Sequence, residues 1–109
     1  MKKNIIIEIA EILEKRKWSS ADSSYTKSLF DGGIEKILSK VSEESEELIE
    51  AAKVDHEGKE KEMIHETADL WFHTMVLLSY EGISAGKVLN ELEKRFGTSG
   101  LDEKASRKD

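Results

Sequence analysis

Two pairs of acids, Glu44/Glu47 and Glu66/Asp69, are each set three residues apart, and their types and spacing could do chemistry. The second pair interrupts the most hydrophobic stretch of the chain. From Ala68 to Tyr80 nearly every residue is apolar, yet Glu66, Asp69 and His73 recur along one side. A carboxylate in apolar surroundings costs several kcal/mol unless it is paired, neutralised or bound to a metal. Carboxylates at i and i+3 share one side of a helix, so two such pairs on facing helices place four oxygen donors around one pocket. The sequence offers such a group no ready partner except a cation. All-oxygen ligation, without thiolates and with at most one nearby imidazole, favours Mg²⁺ or a substituting Mn²⁺ over Zn²⁺. Mg²⁺ keeps several waters and is usually completed by substrate phosphates. The pattern therefore points to phosphate chemistry.

The elements that must position these acids read as helices throughout. A first segment, about 4–17, carries Ile5, Ile9, Ile12 and Leu13 as its apolar stripe, with Asn4 as N-cap. A polar linker over 19–24 leads to a short helix with Tyr25, Leu29 and Phe30, which Gly32-Gly33 stops. Long helices are predicted over about 34–54 and 59–80. Ser84 caps a last helix whose face is Ala85, Val88, Leu89, Leu92 and Phe96, closed by Gly97. No strand-period alternation occurs, and there is no proline. The fold class is all-α, a bundle of four to five helices. It forms one domain over 1–97, with a polar, flexible tail over 98–109.

Five of the eight residues from Glu43 to Glu50 are Glu, and the bland reading of such a run is a solvated face. At about 100° per residue, Ile34, Leu38, Val41, Ser45, Leu48 and Ala52 share the buried face, and Glu43, Glu46 and Glu50 point nearly opposite. Glu44 and Glu47 lie on its flank with Lys40 and Ala51, where another helix can reach them. In the next helix Ile64, Ala68, Trp71, Phe72, Met75 and Leu78 cover one face. Glu62, Glu66, Asp69 and His73 line the other. The competing account of Asp69 is an ordinary buried salt bridge to Lys40 or His73. His73 reads as a core histidine, or as a partner orienting a carboxylate, rather than as a metal ligand.

Composition removes several classes of function. A chain of 109 residues with net charge −6 is a poor non-specific nucleic-acid binder. Zero cysteines exclude disulfides, zinc–thiolate sites and thiol catalysis. The apolar run from Ile5 to Ala10 already contains Glu8, too short and too charged for a signal peptide or a membrane span. A soluble cytoplasmic protein is expected, and a helical domain this small is expected to complete its core by homodimerisation.

Glu43-Glu44-x-x-Glu47, with eighteen residues before Glu66-x-x-Asp69, resembles the paired metal motif of the all-α, MazG-like nucleotide pyrophosphohydrolases. Within that superfamily the match is to the phosphoribosyl-ATP pyrophosphatase family, and it runs from about Ile9 to Gly100. It rests on Ser24-Tyr25-Thr26 with Leu29 and Gly33, on Lys40-Val41-x-Glu43-Glu44, and on Ala51-Ala52-Lys53. Glu66-x-Ala68-Asp69-Leu70-x-x-His73, Leu92-x-x-Arg95 and Ser99-Gly100 complete it. Ser42 departs from a usual Gly, and Trp71-Phe72 from a usual Leu-Tyr. Fusion to a cyclohydrolase, known in the family, is not expected in a chain of this length without cysteine.

The resemblance implies Mg²⁺-dependent hydrolysis of the α–β anhydride of 1-(5-phosphoribosyl)-ATP, giving phosphoribosyl-AMP and pyrophosphate, the second step of histidine biosynthesis. Glu44, Glu47, Glu66 and Asp69 are the expected metal ligands. Glu43 is either a further ligand or the group that orients the water. Lys40, Lys53 and Arg95 are candidate phosphate contacts, Arg16 a weaker one. Ser24, Tyr25, Thr26 and Ser99 are candidate hydrogen-bond partners of the substrate. Two alternatives share the sequence. A house-cleaning pyrophosphatase for non-standard nucleoside triphosphates would carry the metal motif without the Ser-Tyr-Thr and Ser-Gly segments. An acidic helical interaction module would give no reason for Asp69 in an apolar helix. Di-iron bundles require Glu-x-x-His pairs on two helices, and His73 lies seven residues after Glu66 and four after Asp69.

Overall fold

A computed structural model describes residues 4–17 and 25–96, which form four helices: α1 (Ile5–Lys17), α2 (Tyr25–Lys53), α3 (Lys59–Tyr80) and α4 (Ala85–Phe96). No strand occurs among the described residues. Asn4 caps α1 as expected, its side-chain oxygen accepting the Ile6 N–H at 2.7 Å. Lys15, Arg16 and Lys17 fill the last turn, where cations oppose the helix dipole. Ser84 begins α4 by accepting the Gly86 N–H at 3.1 Å. At the end of α3, Gly82 takes φ 71°. The Ile83 N–H then reaches the Leu78 carbonyl at 2.8 Å, and the Gly82 N–H reaches that of Ser79 at 3.0 Å. That double bond pattern closes the helix.

Gly32-Gly33 interrupts the helix where the sequence places a stop, so α2 is a short segment and a long one meeting at a kink. Gly33 alone breaks the α geometry, at φ 80° and ψ −175°. Only glycine enters that region without strain. The break redirects the first turns of α2, so Tyr25 and Thr26 lean back toward α1 and α3.

The core is the cluster Leu13, Leu29, Phe30, Ile37, Met75 and Val76, with Ile6, Ile9, Ala10, Phe72 and Leu77 packed against it. Burying each of the larger of these side chains stabilises the fold by about 1.5–3 kcal/mol. Lys17 donates to the Ser79 carbonyl at 2.6 Å, and the Ser79 hydroxyl donates to Glu14 at 2.8 Å, tying α1 to the end of α3. α1 packs on all three other helices, whereas α4 packs only on α1 and α3.

The orientation of the helices corrects the periodicity in three places. On α1, Ile5 and Ile12 are exposed, and Leu13 with Ile6 and Ile9 faces inward. Beyond Gly33 on α2 the buried positions are Ile37, Glu44 and Ala51, while Leu38 and Ile49 are about half exposed (47% and 53%). On α3, Ile64 and Trp71 face outward, Trp71 at 61% exposure. Acids of α2 and α3 thus face each other beside the core, and part of each helix's apolar surface stays exposed among the described residues.

Candidate functional site

Glu44 stands at the centre of the α2–α3 contact, 5% exposed. One turn on, Glu47 follows on α2, and Glu66 answers from α3. Each of the three places a carboxylate oxygen within 4.8 Å of the others. Glu44 and Glu66 each keep one buried oxygen with no hydrogen-bond partner. Buried polar atoms are nearly always satisfied, so two orphaned acceptors side by side mark a place built for a positive charge. Glu43, Glu46, Glu47, Glu50, Glu62 and Glu66 line a cleft of about 360 Å³ beside them. A larger and wider concavity, about 800 Å³, lies along α3 by Ile64, Ala68 and Trp71, away from the acids.

The electrostatics follow from this crowding. Burial, then a hydrogen bond that protonated Glu66 donates to the Glu47 carboxylate, and the charges of Glu47 and Glu44, push the Glu66 carboxyl up to about 7. Burial also raises Glu44, with Glu47 and Asp69 adding repulsion and His73 opposing. Lys40 is a cation seated here. Its ammonium donates to Glu43 at 3.1 Å and lies 3.7 Å from Glu44. The Glu43 bond holds its pKa above the ordinary lysine value, with the Tyr25 phenol and Glu44 adding to the pull.

Asp69 does not make the salt bridge that the competing account gave it. Its carboxylate pairs with neither Lys40 nor His73 but with His65, Nε2 to Oδ2 at 3.2 Å. His65, Glu66 and Asp69 form a second close group of possible ligands sharing Glu66 with the first. Sequence reasoning missed His65, although its i, i+4 spacing to Asp69 is the signal that finds it. Glu62 and His65 also make one Glu-x-x-His run. A di-iron pair needs a second on another helix, and neither α1, α2 nor α4 contains a histidine. His73 is 4% exposed, bonded through one ring nitrogen to the Asp69 carbonyl and through the other to the Tyr25 hydroxyl.

The remaining candidates divide. Lys40 contacts Glu43 and Glu44, and Tyr25 reaches His73, whose ring is also bonded to the Asp69 carbonyl. Thr26 is buried, and its hydroxyl accepts from Arg16 at 3.3 Å, so it packs the start of α2 rather than offering itself to a ligand. Lys53 bonds Glu50, and Arg95 bonds Glu91 one turn earlier. Glu50 lines the acidic cleft, so Lys53 stands at its edge, whereas Arg95 is held on α4, which does not pack on α2. Ser24 and Ser99 lie outside the described residues.

By its helices and its facing acid pairs, the molecule falls in the class of all-α proteins with a carboxylate-walled cleft, the architecture expected of a helical nucleotide pyrophosphohydrolase. The chain belongs to the phosphoribosyl-ATP pyrophosphohydrolase family, whose model matches residues 6–96. Among its relatives, the phosphoribosyl-ATP pyrophosphatase of Hydrogenovibrio crunogenus is 45% identical over 108 residues, covering 98% of this chain and 96% of that one. Those of Vesicomyosocius okutanii and Geobacter metallireducens are each 50% identical, covering 94% and 95% of this chain and 95% and 93% of theirs.

Proposed function

We propose that this chain hydrolyses 1-(5-phosphoribosyl)-ATP to phosphoribosyl-AMP and pyrophosphate, the second step of histidine biosynthesis. Water adds across the α–β anhydride, its oxygen ending on one phosphoryl product and the proton released to solvent. Support comes from near full-length similarity to proteins named for that reaction. The observation that carries it in the structure is the pair of buried, unpartnered oxygens on Glu44 and Glu66.

The donor set fits a hard divalent cation. Glu44, Glu47 and Glu66, with Asp69 from the adjacent turn, would hold Mg²⁺ or Mn²⁺. When bound, such an ion supplies charge neutralisation on phosphate oxygens and a more acidic water. The chain's own groups do the rest. Lys40 sets a positive charge at the rim, suited to a phosphate oxygen, while its bond to Glu43 fixes that carboxylate where it can orient water. A cleft of bare carboxylates repels a polyphosphate, so substrate enters with or after the cation.

We also infer a homodimer. Trp71, Met75 and Leu78 of α3 and Val88, Leu89 and Leu92 of α4 line an apolar groove of about 360 Å³ that nothing among the described residues covers. A second copy would close it. Among the described residues no helix is long and apolar enough to cross a membrane, and a nucleotide substrate fits a cytoplasmic enzyme.

The test is turnover of phosphoribosyl-ATP and a panel of ordinary and damaged dNTPs in Mg²⁺. Hydrolysis of phosphoribosyl-ATP alone, abolished by EDTA, is expected. Turnover of several dNTPs with none of phosphoribosyl-ATP would place the chain among the house-cleaning enzymes instead.

A further inference from the structure

The Tyr25 hydroxyl lies 2.9 Å from Nε2 of His73, and Nδ1 of the same ring lies 2.8 Å from the Asp69 carbonyl oxygen. A carbonyl oxygen only accepts, so Nδ1 carries the proton. In the neutral ring Nε2 is then an acceptor, and the phenol must donate to it. Both ring nitrogens are engaged, which favours this orientation of the ring. It is buried and edge-on to Tyr25 and Phe72, with centroids 5.9 and 5.2 Å away.

The consequence falls on the exposed side of Tyr25, which is 53% accessible. With its proton committed inward, the phenol oxygen presents only lone pairs to a ligand approaching its exposed side. Phosphate oxygens are acceptors too, so Tyr25 is poorly suited to them and well suited to a hydroxyl donor. Lys40, whose ammonium feels the phenol, stays available for phosphate.

We propose that Tyr25 is a specificity-determining residue that accepts a hydrogen bond from a sugar hydroxyl of the substrate, and that His73 is the positioning residue that fixes it in that role. This rests on the hydrolase reading above and divides the substrate between two residues, sugar to Tyr25 and phosphate to Lys40.

Two measurements on the full chain decide it. Long-range ¹H–¹⁵N spectra of the imidazoles at mildly alkaline pH, assigned with His73→Gln, should show His73 as the Nδ1–H tautomer, with an Nε2 resonance that moves in Tyr25→Phe. An Nε2–H tautomer overturns the proposal. Calorimetry in Mg²⁺ then compares phosphoribosyl-AMP, which carries sugar hydroxyls, with pyrophosphate, which has no such donor. Tyr25→Phe should weaken the first by about 3- to 10-fold, the range of one neutral hydrogen bond, and leave the second unchanged. His73→Phe should match it, the double variant should be no worse than either single one, and His73→Gln, whose amide oxygen can accept from the phenol, should recover most of the loss. Weaker pyrophosphate binding in Tyr25→Phe, or no change for either ligand, overturns the proposal. Failure of the parent to bind phosphoribosyl-AMP sinks the hydrolase reading instead, and the spectra still decide the Tyr25–His73 arrangement.

Discussion

Glu44 on α2 and Glu66 on α3 bring carboxylate oxygens within 4.8 Å of each other, and each retains a buried oxygen that no donor satisfies. Such an arrangement is unfavourable for a protein alone, because burial and like charge both oppose ionisation. Lys40 relieves only part of it, since its closest bond goes to Glu43 and it stands 3.7 Å from Glu44. The helices are held in this register by the core around Leu29, Ile37 and Val76, not by the acids.

Divalent cation should therefore stabilise the fold. An ion that binds the native cleft and not the unfolded chain contributes RT ln(1 + [L]/Kd), about 2.7 kcal/mol at 100 times Kd. Differential scanning fluorimetry should show a melting temperature several degrees higher in millimolar Mg²⁺ or Mn²⁺ than in EDTA. Indifference to both would remove the cation from the cleft.

The same crowding sets a pH dependence for the metal-free protein. Glu66 titrates near 7 when folded against an ordinary value of 4.5, and Glu44 is raised as well. Between those values the folded state binds more protons than the unfolded one, so stability falls as pH rises. In EDTA, urea midpoints should drop from about pH 4.5 to above 7 and level off beyond. Glu66→Gln should flatten that slope and leave the metal-free protein more stable than the parent at pH 8. A midpoint that climbs over this interval contradicts the assignment.

Asp69→Asn should leave the fold intact and remove activity. The variant keeps side-chain volume and the backbone carbonyl that holds His73, and it loses only a partly exposed bridge to His65, worth about 0–1 kcal/mol. Removing one charged group from a preorganised phosphate site typically costs ~10² or more in kcat. Retention of more than about a tenth of the parent rate, with an unchanged circular dichroism spectrum, argues against ligation.

The helices and both acid pairs were legible because period and spacing are local properties. Gly58, Gly82, Asn4 and Ser84 punctuate the chain where turn and cap chemistry says they should. Which face of each long helix turns inward was not legible. Leu38, Ile49, Ile64 and Trp71 are apolar, and the rule that apolar faces are buried puts them inside. In one chain Glu44, His73 and Ser79 are buried instead. The α2–α3 contact buries acids beside the core, and among the described residues Leu38, Ile49, Ile64 and Trp71 stay exposed. Contacts between distant segments, such as Tyr25 with His73, depend on the Gly33 kink. A sequence window sees that kink only as a helix stop.

Gly33→Ala tests the kink itself. There is room for the added carbon, whose nearest neighbour is the Tyr80 hydroxyl at 3.9 Å, so the cost is conformational. A residue with a Cβ at φ 80° and ψ −175° is strained by about 1–3 kcal/mol. Denaturant unfolding should show a loss in that range. Activity per folded molecule should fall too, because straightening the helix carries Tyr25 away from His73. An alanine variant as stable and active as the parent would mean that the kink positions nothing.

Trp71→Glu tests the open apolar face. The side chain is 61% exposed and makes no contribution to the buried cluster, so within one chain the change should be nearly neutral for the fold. Across a two-fold interface the same change sets a charge into the apolar groove that Trp71 shares with Met75, Leu89 and Leu92, and symmetry counts the penalty twice. Sedimentation equilibrium should show the parent as a dimer and Trp71→Glu as a monomer with unchanged helix content. A monomeric parent at high micromolar concentration would end the dimer reading and leave the apolar sides of α3 and α4 in need of another partner.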